Sequence, residues 1–333
     1  MGRWMRWTGH LYWRLLLVGL VAINVSARAA DPKHVQIWLA GVDPLSRRVR
    51  DWQPGDFMDL FGPNALWSTA AAKINVFQVS TQFVLRSEDL ELTRTIDWLK
   101  RRHIALAMAG LMLSGHDECG RGVEGYSMPN SVQRALTRIK KFGGELSYLV
   151  MDEPLHFGHV FAGANACEDS LAELAQEVSR KISDARSIFP NILIGDVEPV
   201  GGESDLWADD LLRWFNIFQQ YVGTRPAFFR ADIGWRRPNW QAQLMAVHSV
   251  MGAAHIKFGI IYNSNTLAGS RAWTEEAEAH FRLIESVLHI VPDQAVIQTW
   301  TRLPELFIPE TDPATLTGLV DVYLRWCEHG HHP

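Results

Sequence analysis

Eight short apolar runs recur along the chain, and most are followed by a longer stretch in which apolar and charged positions alternate at helical spacing. The runs are HVQIWLAG (34–41), INVFQVST (74–81), IALAMAGLML (104–113), SYLVMDEP (147–154), NILIGDVEP (191–199), PAFFRADIGW (226–235), IKFGIIYNS (256–264) and AVIQTW (295–300). They are continuously apolar rather than strictly alternating, as parallel strands covered on both faces are. Their starts lie 30 to 45 residues apart, which leaves room for a loop and a helix each time.

The segments between them read as amphipathic helices. Residues 87–102 open with Ser87 as N-cap and acids in the first turn, and close on basic residues. Residues 168–189 space Leu171, Leu174, Val178 and Ile182 at helical intervals. Helices over 205–221, 239–254, 274–290 and 313–327 follow. An open doubly wound sheet would alternate in the same way, but eight units with no linker favour closure. The prediction is an α/β fold, a single (β/α)8 TIM barrel over residues 30–333.

The first residues change the picture of where the protein works. Arg3, Arg6 and Arg14 precede the apolar core LLLVGLVAINV (15–25), and SARAA offers a small-x-small cleavage site after Ala29. The core is short for a membrane span, so residues 1–29 read as a signal peptide of a secreted or periplasmic protein with no membrane anchor after cleavage. That segment holds four arginines and no acids, so its removal takes the net charge from −5 to −9. An acidic chain without a basic cluster does not fit nucleic acid as a partner. The three cysteines permit one bridge, and Cys119 with Cys167, in the loops after the third and fourth strands, is the expected pair, leaving Cys327 free. GRGVEG (120–125) fits the G-x-G-x-x-G pattern literally, but no helix opens from it, and it reads as flexible loop.

Candidate chemistry gathers where the strands end, because a (β/α)8 barrel builds its site at that face. The fourth strand supplies Asp152 and Glu153, the fifth Asp196 and Glu198, the sixth Arg230 and Asp232. Acids on three consecutive strands would share one quadrant of the mouth, where mutual repulsion raises one pKa and leaves another acid ionised. That division suits glycosidic bond hydrolysis, in which one carboxylic acid protonates the leaving oxygen and a second attacks or activates water. Trp38, Trp235 and Trp300 lie at strand ends as candidate sugar platforms, with Gln78, Tyr262 and Asn263 as further substrate-binding groups. Asp43 reads as a turn residue. Expected partners are an oligo- or polysaccharide substrate, with no cofactor, no metal and a monomeric state. A metal-dependent hydrolase is the alternative enzyme, since His116, Asp117, Glu118, His156 and His159 fall in two neighbouring loops, although their spacing matches no zinc signature.

MDEP (151–154) resembles the strand-4 Asn-Glu-Pro of the large clan of barrel glycosidases. The resemblance implies that Glu153 is the general acid/base, with Asp152 in place of the asparagine. That clan carries its nucleophile at the end of strand 7, where this chain has IIYNSN and no acid. The partner of Glu153 is therefore expected on strand 5 or 6, Glu198 or Asp232, at the wider separation that gives inversion. A catalytically silent glycan-binding barrel is the reading of a different kind, and the missing strand-7 acid is its support.

Overall fold

In a computed structural model that describes residues 35–45, 55–116, 118–201 and 207–328, eight strands close into one parallel barrel. They are β1 (Gln36–Ala40), β2 (Val76–Ser80), β3 (Ala105–Gly110), β4 (Leu146–Asp152), β5 (Leu193–Val200), β6 (Phe228–Ile233), β7 (Lys257–Tyr262) and β8 (Gln294–Gln298). Each pairs with its neighbours in sequence order, and β8 returns to β1 with Trp38 opposite Val296. Every one of the eight predicted runs contains or overlaps its strand. The leader lies outside the described residues, and no described helix is long and apolar enough to cross a membrane.

The helical layer comprises α1 (Ser68–Ala71), α2 (Thr81–Arg86), α3 (Asp89–Arg101), α4 (Ser131–Lys141), α5 (Leu171–Ile188), α6 (Trp207–Val222), α7 (Trp240–Ala253), α8 (Ser270–Arg282) and α9 (Leu316–Glu328). Ser87 is not the N-cap of α3. The short helix α2 ends on it, with the Ser87 N–H donating to the Phe83 carbonyl, so α3 opens one residue later at Glu88. Helix α5 likewise opens at Ser170, whose hydroxyl accepts from the Glu173 N–H while the Glu173 carboxylate accepts from the Ser170 N–H. That reciprocal pair satisfies two of the amides a helix start leaves open.

Two apolar layers result from strands buried on both faces. Leu149, Met151 and Ile194 face outward and pack with Leu174, Val178 and Ile182 of α5. Trp38, Val150, Val197, Phe228, Ile261 and Val296 face inward and fill the barrel, so the interior is a packed core and not a pore. Side chains alternate along a strand, and these inward residues fix which acids at the strand ends face the mouth.

Cys119 and Cys167 form a disulfide with Cα atoms 5.0 Å apart, joining the β3–α4 loop to the β4–α5 loop, and Cys327 is a free thiol. The bridge closes a separation of 48 residues. Chain entropy alone assigns such a loop about 4 kcal/mol, of which real bridges commonly deliver about half or more. The double variant Cys119→Ser, Cys167→Ser should lose about 2–4 kcal/mol in urea unfolding. An unchanged midpoint would show that the two loops hold themselves without the bridge.

Candidate active site at the barrel mouth

Adjacent residues of an extended strand face opposite ways, yet Asp152 and Glu153 both line one cavity. Along β4, Val150 faces the barrel interior and Met151 the helical shell, so Asp152 inherits the inward direction. Glu153 would then point outward if the strand continued. Instead its φ is +53°, in the left-handed region, and the chain swings the side chain back over the mouth. For a residue with a Cβ that conformation costs about 1–2 kcal/mol. Its backbone is held on both sides: the Glu153 N–H donates to the Val197 carbonyl at 3.0 Å, and its own carbonyl accepts from the Phe157 N–H at 3.1 Å. Glu198 then fixes the turn that follows, accepting the Leu155 N–H at 2.6 Å and the His156 N–H at 2.9 Å.

The cavity measures about 490 Å³, and Asp152, Glu153 and Asp232 line it together with Gln78, Gln298 and Trp300. Glu153 is only 9 % exposed. Burial pushes its carboxyl well above the ordinary range, and the charges of Asp232, Asp152 and Glu198 push the same way. A side-chain hydrogen bond to Asp232 adds to the effect, so Glu153 holds the proton and Asp232 accepts it. The raised pKa favours the protonated form of Glu153, the form that can give a proton to an atom in the cavity.

Three of the five candidate acids, Asp152, Glu153 and Asp232, therefore come together, and two do not. Val197 occupies the inward face of β5, so Asp196 and Glu198 point into the helical shell. Asp196 is wholly buried there and accepts from the Trp214 indole N–H at 2.9 Å, and burial pushes its carboxyl up to about 8. Glu198 is equally buried, with both oxygens on backbone amides, and is a positioning residue behind the β4 turn. Asp232 acts on Glu153 most strongly of the neighbouring acids, through its charge and a side-chain hydrogen bond.

The candidate sugar-binding groups divide in the same manner. Gln78 and Trp300 line the cavity. Trp38 is fully buried in the barrel interior, its ring stacked under the Arg230 guanidinium at 3.6 Å. Arg230 is as deeply buried, donating to Gln294 and Gln78 at 2.9 Å each, so it braces the floor from below. Tyr262 faces the shell, where its hydroxyl donates to Glu285 at 2.7 Å. The face of Trp235 is covered by the His280 ring at 3.7 Å, and its indole N–H donates to the side-chain oxygen of Asn263, which is itself buried. Neither is a platform for substrate.

Two contributions escape a reading by strand ends alone. Asp43 lines the cavity, its oxygens accepting from the Ser80 hydroxyl at 2.5 Å and the Leu45 N–H at 2.9 Å. The glycine-rich segment lines the cavity as well, through Gly120, Gly122, Val123, Glu124 and Gly125, with Gly125 against the Asp152 backbone. Its three glycines all have φ between +75° and +80°, a path that residues with a Cβ rarely take. The Gly120 N–H donates to the Asn165 carbonyl at 2.7 Å, next to the disulfide, so the wall is tied down.

The histidines raised for metal binding do not converge on the mouth cavity. His116 lies with Cys119 and Cys167, whose sulfurs are joined to each other, and pairs with Asp169 at 3.2 Å. His159 meets the Asp169 carbonyl at 2.6 Å, and His156 is wedged against the rings of Phe157 and Phe161, where burial lowers its pKa. Asp117 lies outside the described residues.

No protein-family profile matches the chain, and no curated protein does either. Solved structures do. The GH10 protein of Paenibacillus barcinonensis superposes with a TM-score of 0.51 at 11 % identity, over 87 % of this chain and 95 % of that one. GH5_18 of Streptomyces cattleya, solved in complex with GlcNAc, superposes with a TM-score of 0.50 at 10 % identity, over 90 % of this chain and 82 % of that one. At these identities the likeness is one of fold, a (β/α)8 barrel.

Proposed function

We propose that this protein is an exported glycoside hydrolase whose general acid is Glu153. The observation that carries the reading is the buried Glu153 carboxyl, which shares an acid-lined cavity at the strand ends with Asp152 and Asp232 and whose pKa is raised by burial and by their charges. A glycosidic oxygen is a poor leaving group until it is protonated, and an acid kept neutral at working pH supplies that proton. Asp232 favours the protonated form of Glu153 before the step, and its negative charge favours the return of a proton to Glu153 afterwards. Trp300 offers an aromatic wall beside them, and Gln78 and Gln298 offer hydrogen bonds to hydroxyls. A silent glycan-binding barrel is the competing reading, favoured by the filled β7 end, where Asn263 is already engaged.

Reducing ends released from a panel of polysaccharides, followed across pH, test the proposal. The rate should fall as pH rises through the Glu153 pKa, because the deprotonated form has no proton to give. Asp232→Asn removes the negative charge that raises the Glu153 pKa most and leaves only a neutral amide oxygen as acceptor, so the Glu153 pKa should fall and the alkaline limb move about one pH unit or more lower. Release from no glycan at any pH would favour the silent binder, and an unmoved limb would separate Glu153 from the rate.

A further inference from the structure

Beside the mouth, the β3–α4 and β4–α5 loops bring three metal-ligating side chains together. Cys119 comes from the first loop and Cys167 from the second, with Cα atoms 5.0 Å apart. His116 precedes Cys119 in a tight turn, which the Cys119 N–H closes by donating to the His116 carbonyl at 3.0 Å. A gap of that length lets a single turn offer two ligands to one ion. The ligating nitrogen of His116 and the two sulfurs all lie within 4.8 Å of one another. Asp169 stands 3.2 Å from His116 Nε2, and a carboxylate there is the usual partner of a metal-binding imidazole. His116 is exposed and both cysteines are half-buried, so an ion can enter from solvent.

The S–S bond is not all that keeps these loops in contact. The Gly120 N–H donates to the Asn165 carbonyl at 2.7 Å, and the Asn165 side-chain amide donates to the Arg121 carbonyl at 2.8 Å. Asp169 is held separately, its N–H donating to the Gly158 carbonyl at 2.8 Å and its own carbonyl 2.6 Å from His159 Nδ1. With the bridge open, both sulfurs stay within reach of one ion.

We propose that the dithiol form of this protein binds one Zn²⁺ through Cys119, Cys167 and His116, with Asp169 bracing the imidazole. Every chain is made with its cysteines as thiols, so this form precedes the bridge. A thiol reductant also restores it: two reductant thiols give two electrons and two protons, become a disulfide themselves, and leave two Cys–SH groups. The ion then displaces both thiol protons to solvent and forms two metal–sulfur bonds and one metal–nitrogen bond. A tetrahedral zinc holds such ligand atoms roughly 3.5–3.8 Å apart, a spacing that rotation about the Cα–Cβ bonds sets once the sulfurs part. Two thiolates and an imidazole select zinc-like ions over Mg²⁺ or Ca²⁺. Sulfurs bonded to each other are not thiolates, so the oxidised protein does not offer this site. Either clip, bridge or ion, ties the glycine-rich segment to the β4–α5 loop.

The test uses the full chain carrying Cys327→Ser, which removes the third thiol. It is reduced with a trialkylphosphine, freed of reductant without air, and titrated with Co²⁺ and then Zn²⁺. The oxidised protein, titrated alongside, accounts for ions taken by His329, His331 and His332. Reduced protein should show a thiolate-to-cobalt charge-transfer band at one ion per chain, bleached by Zn²⁺, and oxidised protein should show none. Zinc binding should release about two protons, read by calorimetry in buffers of different ionisation enthalpy. Asp169→Asn should weaken Zn²⁺ binding by about 10–100-fold, as loss of a ligand's partner does, and His116→Ala by at least as much. Because His116 is exposed, its loss should leave the urea midpoint of the oxidised protein unchanged. Absence of the charge-transfer band from the reduced protein would overturn the site. So would one ion shared between two chains, or an unchanged affinity in His116→Ala, which would mean that the sulfurs hold the metal without the imidazole. Each of these outcomes leaves the glycosidase reading where it stands, since the mouth cavity does not use these three side chains.

Discussion

Glu153→Gln should lower turnover on an unactivated glycan by about 10²–10⁴-fold, the usual contribution of a positioned general acid. Glutamine keeps the size and the left-handed backbone position but has no acidic proton, so the leaving oxygen would depart as an alkoxide. A substrate whose leaving group is a good one, such as a 2,4-dinitrophenolate, departs without help, and on it the variant should lose far less. The contrast between the two substrates is the measurement. Equal losses on both would show that Glu153 acts in some other way. The variant should also be no less stable than the wild type near neutral pH. Burial and three neighbouring acids raise the folded pKa of Glu153 above its unfolded value, so it contributes stability at low pH that is lost as pH rises through the folded pKa. An uncharged glutamine does not carry that dependence.

How far the site could be read in advance turns on particular residues. The eight strands were legible because burial on both faces writes a continuous apolar run, whatever the register. That Asp196 and Glu198 share a side follows from their spacing of two. Which side they share depends on Val197, and Val197 is as apolar as a residue facing the helical shell. Facing is not enough either. Trp38 and Arg230 do point inward, but they sit below the mouth in the packed interior, a height set by strand register that the residues themselves do not reveal. The adjacent pair Asp152 and Glu153 could be recognised as a candidate, while the reason both reach one cavity is a single left-handed residue. The glycine-rich loop was visible as irregular, and its three left-handed glycines and its tie to Asn165 turn it into a wall.

Glu198 is the residue whose loss should do the most damage from outside the cavity. Its carboxyl is wholly buried, and both oxygens are taken by the Leu155 and His156 amides at 2.6 and 2.9 Å. Burial and the charge of Asp196 push its pKa well up, against the pull of those two amides. Glu198→Ala would leave two buried donors without an acceptor, each worth about 1–3 kcal/mol, for a total of about 2–6 kcal/mol in urea unfolding. The same two bonds anchor the turn that begins at Pro154, directly after the strained Glu153. Without them the 1–2 kcal/mol, roughly, held in the left-handed residue has a route to relax, and the acid would swing away from Asp232. Activity should therefore fall by ~10-fold or more at temperatures where the variant is still folded, because a displacement of about 1 Å at a catalytic group is enough for that. Glu198→Gln keeps one acceptor and turns an N–H₂ toward the other amide, so its losses should lie between wild type and alanine. The diagnostic signature is in the pH profile: with Glu153 drawn off Asp232, the alkaline limb should shift lower in Glu198→Ala, in the direction of the Asp232→Asn variant. Full activity with a stability loss under about 0.5 kcal/mol, the range of ordinary surface changes, would show that the β4 turn holds Glu153 without Glu198.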